Sequence, residues 1–100
     1  MSAIPTPLAD QEIARRLGGL PGWQREGAAL ARTLAFADYM EGIDFVNRVA
    51  AVAEKMDHHP DLLVSWKKVT VRLTSHDAGG ITARDFGLAE RINQLCPPQE

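Results

Sequence analysis

All three histidines of the chain lie in one stretch. His58 and His59 are adjacent within Glu54-Lys55-Met56-Asp57-His58-His59-Pro60, and His76 follows within Ser75-His76-Asp77. Imidazole, with an unperturbed pKa of about 6.5, is the side chain that most readily gives or takes a proton near neutrality. A group of three therefore suits general acid-base chemistry. Two other uses of the same residues compete with it. Histidines at the end of a helix can cap its orphan carbonyls. His58, His59, His76 and an aspartate could also ligate a metal ion, although adjacent side chains rarely converge on one ion and no nearby cysteine completes a set. Asp57, Asp61 and Asp77 suit loop and cap positions equally well. Trp23 is by type a core residue as much as a ligand platform, and Gly79-Gly80 is a turn too short to cradle phosphate.

The elements that must hold these side chains can be read from spacing. Asp38 followed by Glu41 has the form of an acidic capping box, in which each residue serves the other's backbone, so a helix is predicted to begin there. Ile43, Val46, Ala50 and Ala53 form one apolar stripe and Phe45, Val49, Val52 and Met56 a second, which predicts a wide buried face. The helix must stop before Pro60, whose ring disfavours helical backbone at His59, and this puts the histidine pair at a helix exit. Leu62 to Trp66 reads as a strand and Lys67-Lys68 as a tight connection, after which Val69, Val71 and Leu73 alternate as core residues of the partner strand. If the alternation continues, Thr70, Arg72, Thr74 and His76 lie on the opposite face from Val69. Asp77 to Gly80 is a turn, and Thr82 with Asp85 caps a final helix carrying Leu88, Ala89, Ile92 and Leu95.

Upstream, Ile13 and Leu17 predict a short amphipathic helix from Asp10 to about Leu17, stopped by Gly18-Gly19. Leu20-Pro21-Gly22 is a turn and Trp23 to Glu26 a short strand. Residues 28 to 36 are ambiguous. Leu30, Leu34 and Phe36 share a strand face, but Arg32 interrupts it and the alanines suit a helix. Met1 to about Leu8, with two prolines, is expected to be a loose arm. The order favours an α+β fold, with antiparallel pairing and the helices collected on one face of the sheet.

A chain of 100 residues makes one domain, spanning 1–100, with a modest core. Its 45% hydrophobic and 24% charged residues are ordinary globular composition and argue against disorder. A net charge of -2 gives no basic surface for a phosphate backbone, so direct binding to nucleic acid is not expected. The lone Cys96 has no partner for an internal disulfide. The sequence shows neither an 18-residue apolar run nor a leader pattern at Met-Ser-Ala-Ile-Pro, so the expected address is the cytoplasm and not a membrane.

The stretch from Glu54 to Pro60, followed by Ser75-His76-Asp77 and Thr82-Ala83-Arg84-Asp85, resembles the pterin-4a-carbinolamine dehydratases. The resemblance runs from about Trp23 to Leu95 and includes Phe36, Asp38 and Arg48-Val49-Ala50. It implies a four-stranded antiparallel sheet with three helices on one face, in the order α-β-β-α-β-β-α, and a strand over residues 28 to 36. It also implies an activity, the loss of water from 4a-hydroxytetrahydropterin to give quinonoid dihydropterin, which recycles tetrahydropterin for aromatic amino acid hydroxylases. No cofactor or metal is implied, because the pterin is the substrate.

Carried over by motif position, His58, His59 and His76 are the catalytic histidines. Glu54, Asp57, Asp85, Trp23 and Pro60 are supporting or substrate-binding residues, with Asp85 expected to orient His76. His58 and His76 are expected to share the proton transfers while His59 binds the pterin. The resemblance implies a homodimer or homotetramer as well, for which the apolar width of residues 39 to 56 offers a surface. It carries one rival reading, in which the chain is a non-catalytic binding or assembly partner like some relatives of the family.

Overall fold

The computed structural model describes residues 6–99. Its elements are α1 (Asp10–Leu17), β1 (Gln24–Glu26), β2 (Ala29–Ala35), α2 (Tyr39–Met56), β3 (Asp61–Ser65), β4 (Lys68–Leu73) and α3 (Ala83–Asn93), with a 3-10 turn at His76–Ala78 before the last helix. This is the α-β-β-α-β-β-α order expected. All strand pairs are antiparallel, in the order β1-β2-β4-β3. The segment left ambiguous by periodicity is strand β2, whose pairing with β4 runs from Leu30↔Leu73 to Ala35↔Lys68. A central place in the sheet, with Leu30 and Leu34 fully buried, outweighs the helical preference of its alanines.

The register places Leu30, Arg32 and Leu34 on the same face as Val69, Val71 and Leu73 of β4 and Leu62 and Val64 of β3. The buried members of this face form the core with Ile13 of α1, Phe45, Val49 and Ala53 of α2, and Phe86, Leu88, Ala89 and Ile92 of α3. The opposite face carries Thr33, Leu63 and Ser65, all exposed. Gly42 lets α2 approach closely, since a Cβ there would stand 3.4 Å from both Phe36 and Val69.

Helix α2 is capped as expected at one contact, Glu41 N–H donating to Asp38 Oδ1 at 2.8 Å. Among the described residues the Glu41 side chain does not return the bond, so the box is half formed. The stripe of Phe45 and Val49 is buried, with Val52 and Met56 packed at its margin. The stripe of Ile43, Val46, Ala50 and Ala53 turns outward at Ala50, which is exposed, so the buried face is narrower than its sequence pattern suggests.

Of the arm expected over residues 1–8, residues 1–5 lie outside the described residues. Leu8 is docked, its N–H donating to Ile81 O at 2.8 Å and its side chain packed against the core. Strand β4 ends at Leu73. The burial alternation nevertheless runs on, with Ser75 buried and His76 exposed, and although His76 opens the 3-10 turn it lines one cavity with Arg72 and Thr74, the face expected for it. Among the described residues no helix is long and apolar enough to cross a membrane.

Candidate active site

The histidine pair is split by the way α2 ends. Asp57 takes the left-handed conformation, φ 51°, and the His58 N–H closes on Ala53 O at 3.1 Å, a helix stop that turns the chain sharply. His58 goes inward and is 8% exposed. His59 goes outward, its side chain 60% exposed, and meets Glu54 Oε1 through Nε2 at 2.7 Å. Pro60, half-buried, leads directly into β3.

The inward ring meets the start of α3. There Thr82 and Asp85 form the expected capping box, complete on both sides, and Asp85 is fully buried. Asp85 Oδ1 stands 2.5 Å from His58 Nε2. Asp85 Oδ2 accepts from the Ser75 hydroxyl and from the Thr82 N–H, each at 2.9 Å. The carboxylate expected to orient His76 is thus engaged by His58. The cap position decides this: a carboxylate at the third residue of α3 that reaches back to Thr82 N–H is turned inward, toward the end of α2, while His76 is exposed on the preceding turn.

His76 opens on a cavity of about 320 Å³ lined by Ala28, Ala29, Arg72, Thr74, Gly79 and Gly80. His58 and His59 do not line it. The link between the two regions is Ser75, which binds Asp85 through its side chain and precedes His76 in the chain. Ser75 also organises the turn, its carbonyl accepting from Ala78, Gly79 and Gly80 N–H groups. Gly79 permits the turn with φ 78°, a conformation costly for side-chain-bearing residues. Beside His76, Asp77 accepts from Arg84 at 2.5 Å, and that hydrogen bond holds the Asp77 carboxyl below the usual carboxylate range.

Trp23 is not placed with the histidines. It is buried, and its Nε1–H donates to Asn93 Oδ1 at 2.7 Å. Asn93 lies eight residues along α3 from Asp85, about 12 Å at 1.5 Å per residue. Trp23 therefore pins the far end of that helix. Among the described residues no group of three or more His, Cys, Asp or Glu side chains is placed to hold a metal ion. Sequence reasoning missed Ser75, whose hydroxyl is indistinguishable in sequence from a loop serine. It also missed the second task of Thr82, which is legible as a cap but not as part of a buried network.

The model for the family "Pterin 4 alpha carbinolamine dehydratase" matches residues 6–95. A Koribacter versatilis protein named "Putative pterin-4-alpha-carbinolamine dehydratase" is 46% identical over 90% of this chain and 96% of its own length. A protein of the same name from Mycobacteroides abscessus is 49% identical over 86% of this chain and 92% of its own. Among solved structures, a Brucella melitensis protein described as a transcriptional coactivator/pterin dehydratase superposes with a TM-score of 0.87 at 31% identity, over 92% of this chain and all of that one. A pterin dehydratase-like protein described as a RuBisCO assembly factor in the alpha-carboxysome shares the fold, with a TM-score of 0.59 at 23% identity over 73% of this chain and 84% of its own. With a family model matching residues 6–95 and relatives 46% and 49% identical over most of their length, this chain belongs to the pterin-4a-carbinolamine dehydratase family.

Proposed function

We propose that the protein is a hydro-lyase that converts 4a-hydroxytetrahydropterin to quinonoid dihydropterin and water. The observation that carries the reading is the buried His58–Asp85 contact, set one residue from His76 through Ser75, in a chain of this family. In the reaction the C4a–O bond breaks, the N5–H bond gives up its proton, and a double bond forms between N5 and C4a. Hydroxide is a poor leaving group, so an acid must protonate the oxygen as it departs while a base takes the N5 proton. The proton and hydroxyl lost from the substrate leave as one water. His58 and His76 share these two transfers, and the exposed His59, held by Glu54, binds and orients the pterin. The product is a quinonoid dihydropterin, which suits a place in tetrahydropterin recycling after an aromatic amino acid hydroxylase.

The test follows decay of the 4a-carbinolamine with and without the protein. Replacing His58 or His76 by Ala should lower turnover by roughly 10² or more, the range for losing a general acid or base. His59→Ala should act mainly on KM. Near-normal turnover in both the His58 and His76 variants sinks the assignment. A stoichiometric protein partner, found together with no dehydration, favours the binding-partner reading instead.

A further inference from the structure

The contacts around Asp85 specify where protons sit. A peptide N–H can only donate, so Oδ2 accepts from Thr82 N–H at 2.9 Å. Thr82 Oγ1 accepts from Arg84 N–H at 3.2 Å and stands 2.8 Å from Ser75 Oγ. Each hydroxyl has a single proton to give. The arrangement that uses both sends the Thr82 proton to Ser75 Oγ and the Ser75 proton to Asp85 Oδ2. Asp85 Oδ2 is then an acceptor twice over, and Oδ1 is left to accept from His58 Nε2–H.

The other ring nitrogen is in a different position. Among the described residues, His58 Nδ1 has no hydrogen-bond partner, yet the buried side-chain nitrogen or oxygen that lacks one there is Arg84 Nε. Nδ1 therefore keeps an opening to solvent in a ring that is otherwise enclosed. The ring is anchored through one nitrogen and presents the other.

We propose that Ser75, with Thr82 behind it, is a positioning residue that holds the Asp85 carboxylate with Oδ1 on His58 Nε2, where an oxygen that can only accept keeps neutral His58 protonated on Nε2 and leaves Nδ1 as the atom offered for proton transfer. Use of that atom in catalysis rests on the dehydratase reading; the lock itself stands on the contacts. Ser75 also builds the turn that carries His76 through its backbone carbonyl, so one residue serves both proton-transfer groups, by its hydroxyl on one side and its peptide on the other.

The test is long-range ¹H–¹⁵N correlation of the imidazole rings in the uniformly labelled full chain, with His58 assigned by loss of its signals in His58→Gln. It is recorded above the pH at which the ring becomes neutral. The wild type should show Nε2 protonated and Nδ1 bare. Ser75→Ala, in which Thr82 N–H alone holds Oδ2, should keep the proton on Nε2 but broaden the His58 ring signals as the carboxylate loosens, with a fall in kcat of roughly tenfold, the scale of one buried hydrogen bond. KM should stay within about twofold if binding is untouched, and Ser75→Thr, which keeps the hydroxyl, should restore both readouts.

Asp85→Asn gives an independent arm. Thr82 N–H and Ser75 O–H hold the amide oxygen on their side and turn its NH₂ toward His58, which must then accept, so the proton moves to Nδ1. Protonated Nδ1 in the wild type overturns the proposal, as does a Ser75→Ala chain with unchanged His58 signals and kcat. The expected tautomers in a chain without dehydratase activity would sink the proposed function and leave the lock standing.

Discussion

Asp85 is the residue whose removal the structure makes most costly. Its side chain is fully buried and receives three donors: His58 Nε2, the Ser75 hydroxyl and the Thr82 N–H. Truncation to Ala removes half of the capping box, which alone costs about 0.5–2 kcal/mol. It also leaves buried donors without acceptors, at about 1–3 kcal/mol each where no substitute is found. Ser75 can fall back on Thr82 Oγ1, so the terms do not simply add. An expected cost of about 3–5 kcal/mol matches the span seen when one partner of a buried pair is removed. Domains of this size lose roughly 4–8 °C per kcal/mol, so Tm should fall by roughly 12–40 °C. Asp85→Asn keeps an acceptor for Thr82 and Ser75 and should cost about 1–2 kcal/mol. Urea unfolding followed by tryptophan emission suits the measurement, because Trp23 is buried at 7% exposure while Trp66, at 71%, is already solvated. All variants are compared at one protein concentration, since association would shift the midpoint. A cost below about 1 kcal/mol for the Ala variant, or equal costs for Ala and Asn, would refute the view that Thr82 and Ser75 depend on this carboxylate.

Three further outcomes are expected. Gly22→Ala puts a side chain at a φ of +86° and a Cβ 2.6 Å from Arg32 Cζ, so the backbone is strained and the Arg32 guanidinium, which bonds Asn93 Oδ1, must shift; the loss in thermal stability should exceed about 1 kcal/mol, and no loss would mean that Arg32 and the turn adapt freely. Leu34→Ala empties a fully buried site in the sheet and should cost about 2–5 kcal/mol in urea unfolding, with a value under 1 kcal/mol contradicting the core assignment. Asp77 titrates below its ordinary range because of Arg84, so the pair stabilises the folded chain at and above the ordinary carboxylate value and loses its effect as pH falls through the lowered one. Both side chains are part-exposed, so the effect is small and salt-sensitive. The Tm gap between wild type and Asp77→Asn should be present at neutral pH and close on acidification, and a gap that widens in acid would contradict the sign.

What the sequence made legible is what near neighbours encode. Helix α2, the β3–β4 pairing and the Thr82–Asp85 cap all follow from residues within a few positions of one another. The chemical character of the histidines was also plain from type alone. The pairing of Asp85 with His58 was not, because the two are 27 residues apart and packing of α3 against α2 decides which ring the carboxylate reaches. The face of His76 was legible, since the alternation of β4 carries past Leu73 and sets His76 beside Arg72 and Thr74; its separation from His58 was not, because that depends on how α2 ends. Trp23 is tied to Asn93, 70 residues away, a contact for which no local pattern exists. The inward side of Ser75 follows from the same alternation, but its bond to Asp85, ten residues on, has no local pattern.

The double use of Asp85 also constrains how this chain could change over time. The same carboxylate starts α3 and anchors His58, so truncation cannot silence the second role while sparing the first. A lineage drifting toward a fold without chemistry would meet a steep loss of folded protein along that route. His59 and His76, both exposed and neither part of the buried network, are open to replacement at little structural cost. Decay of activity in a surviving, folded descendant should therefore be recorded first at those two positions and last at Asp85.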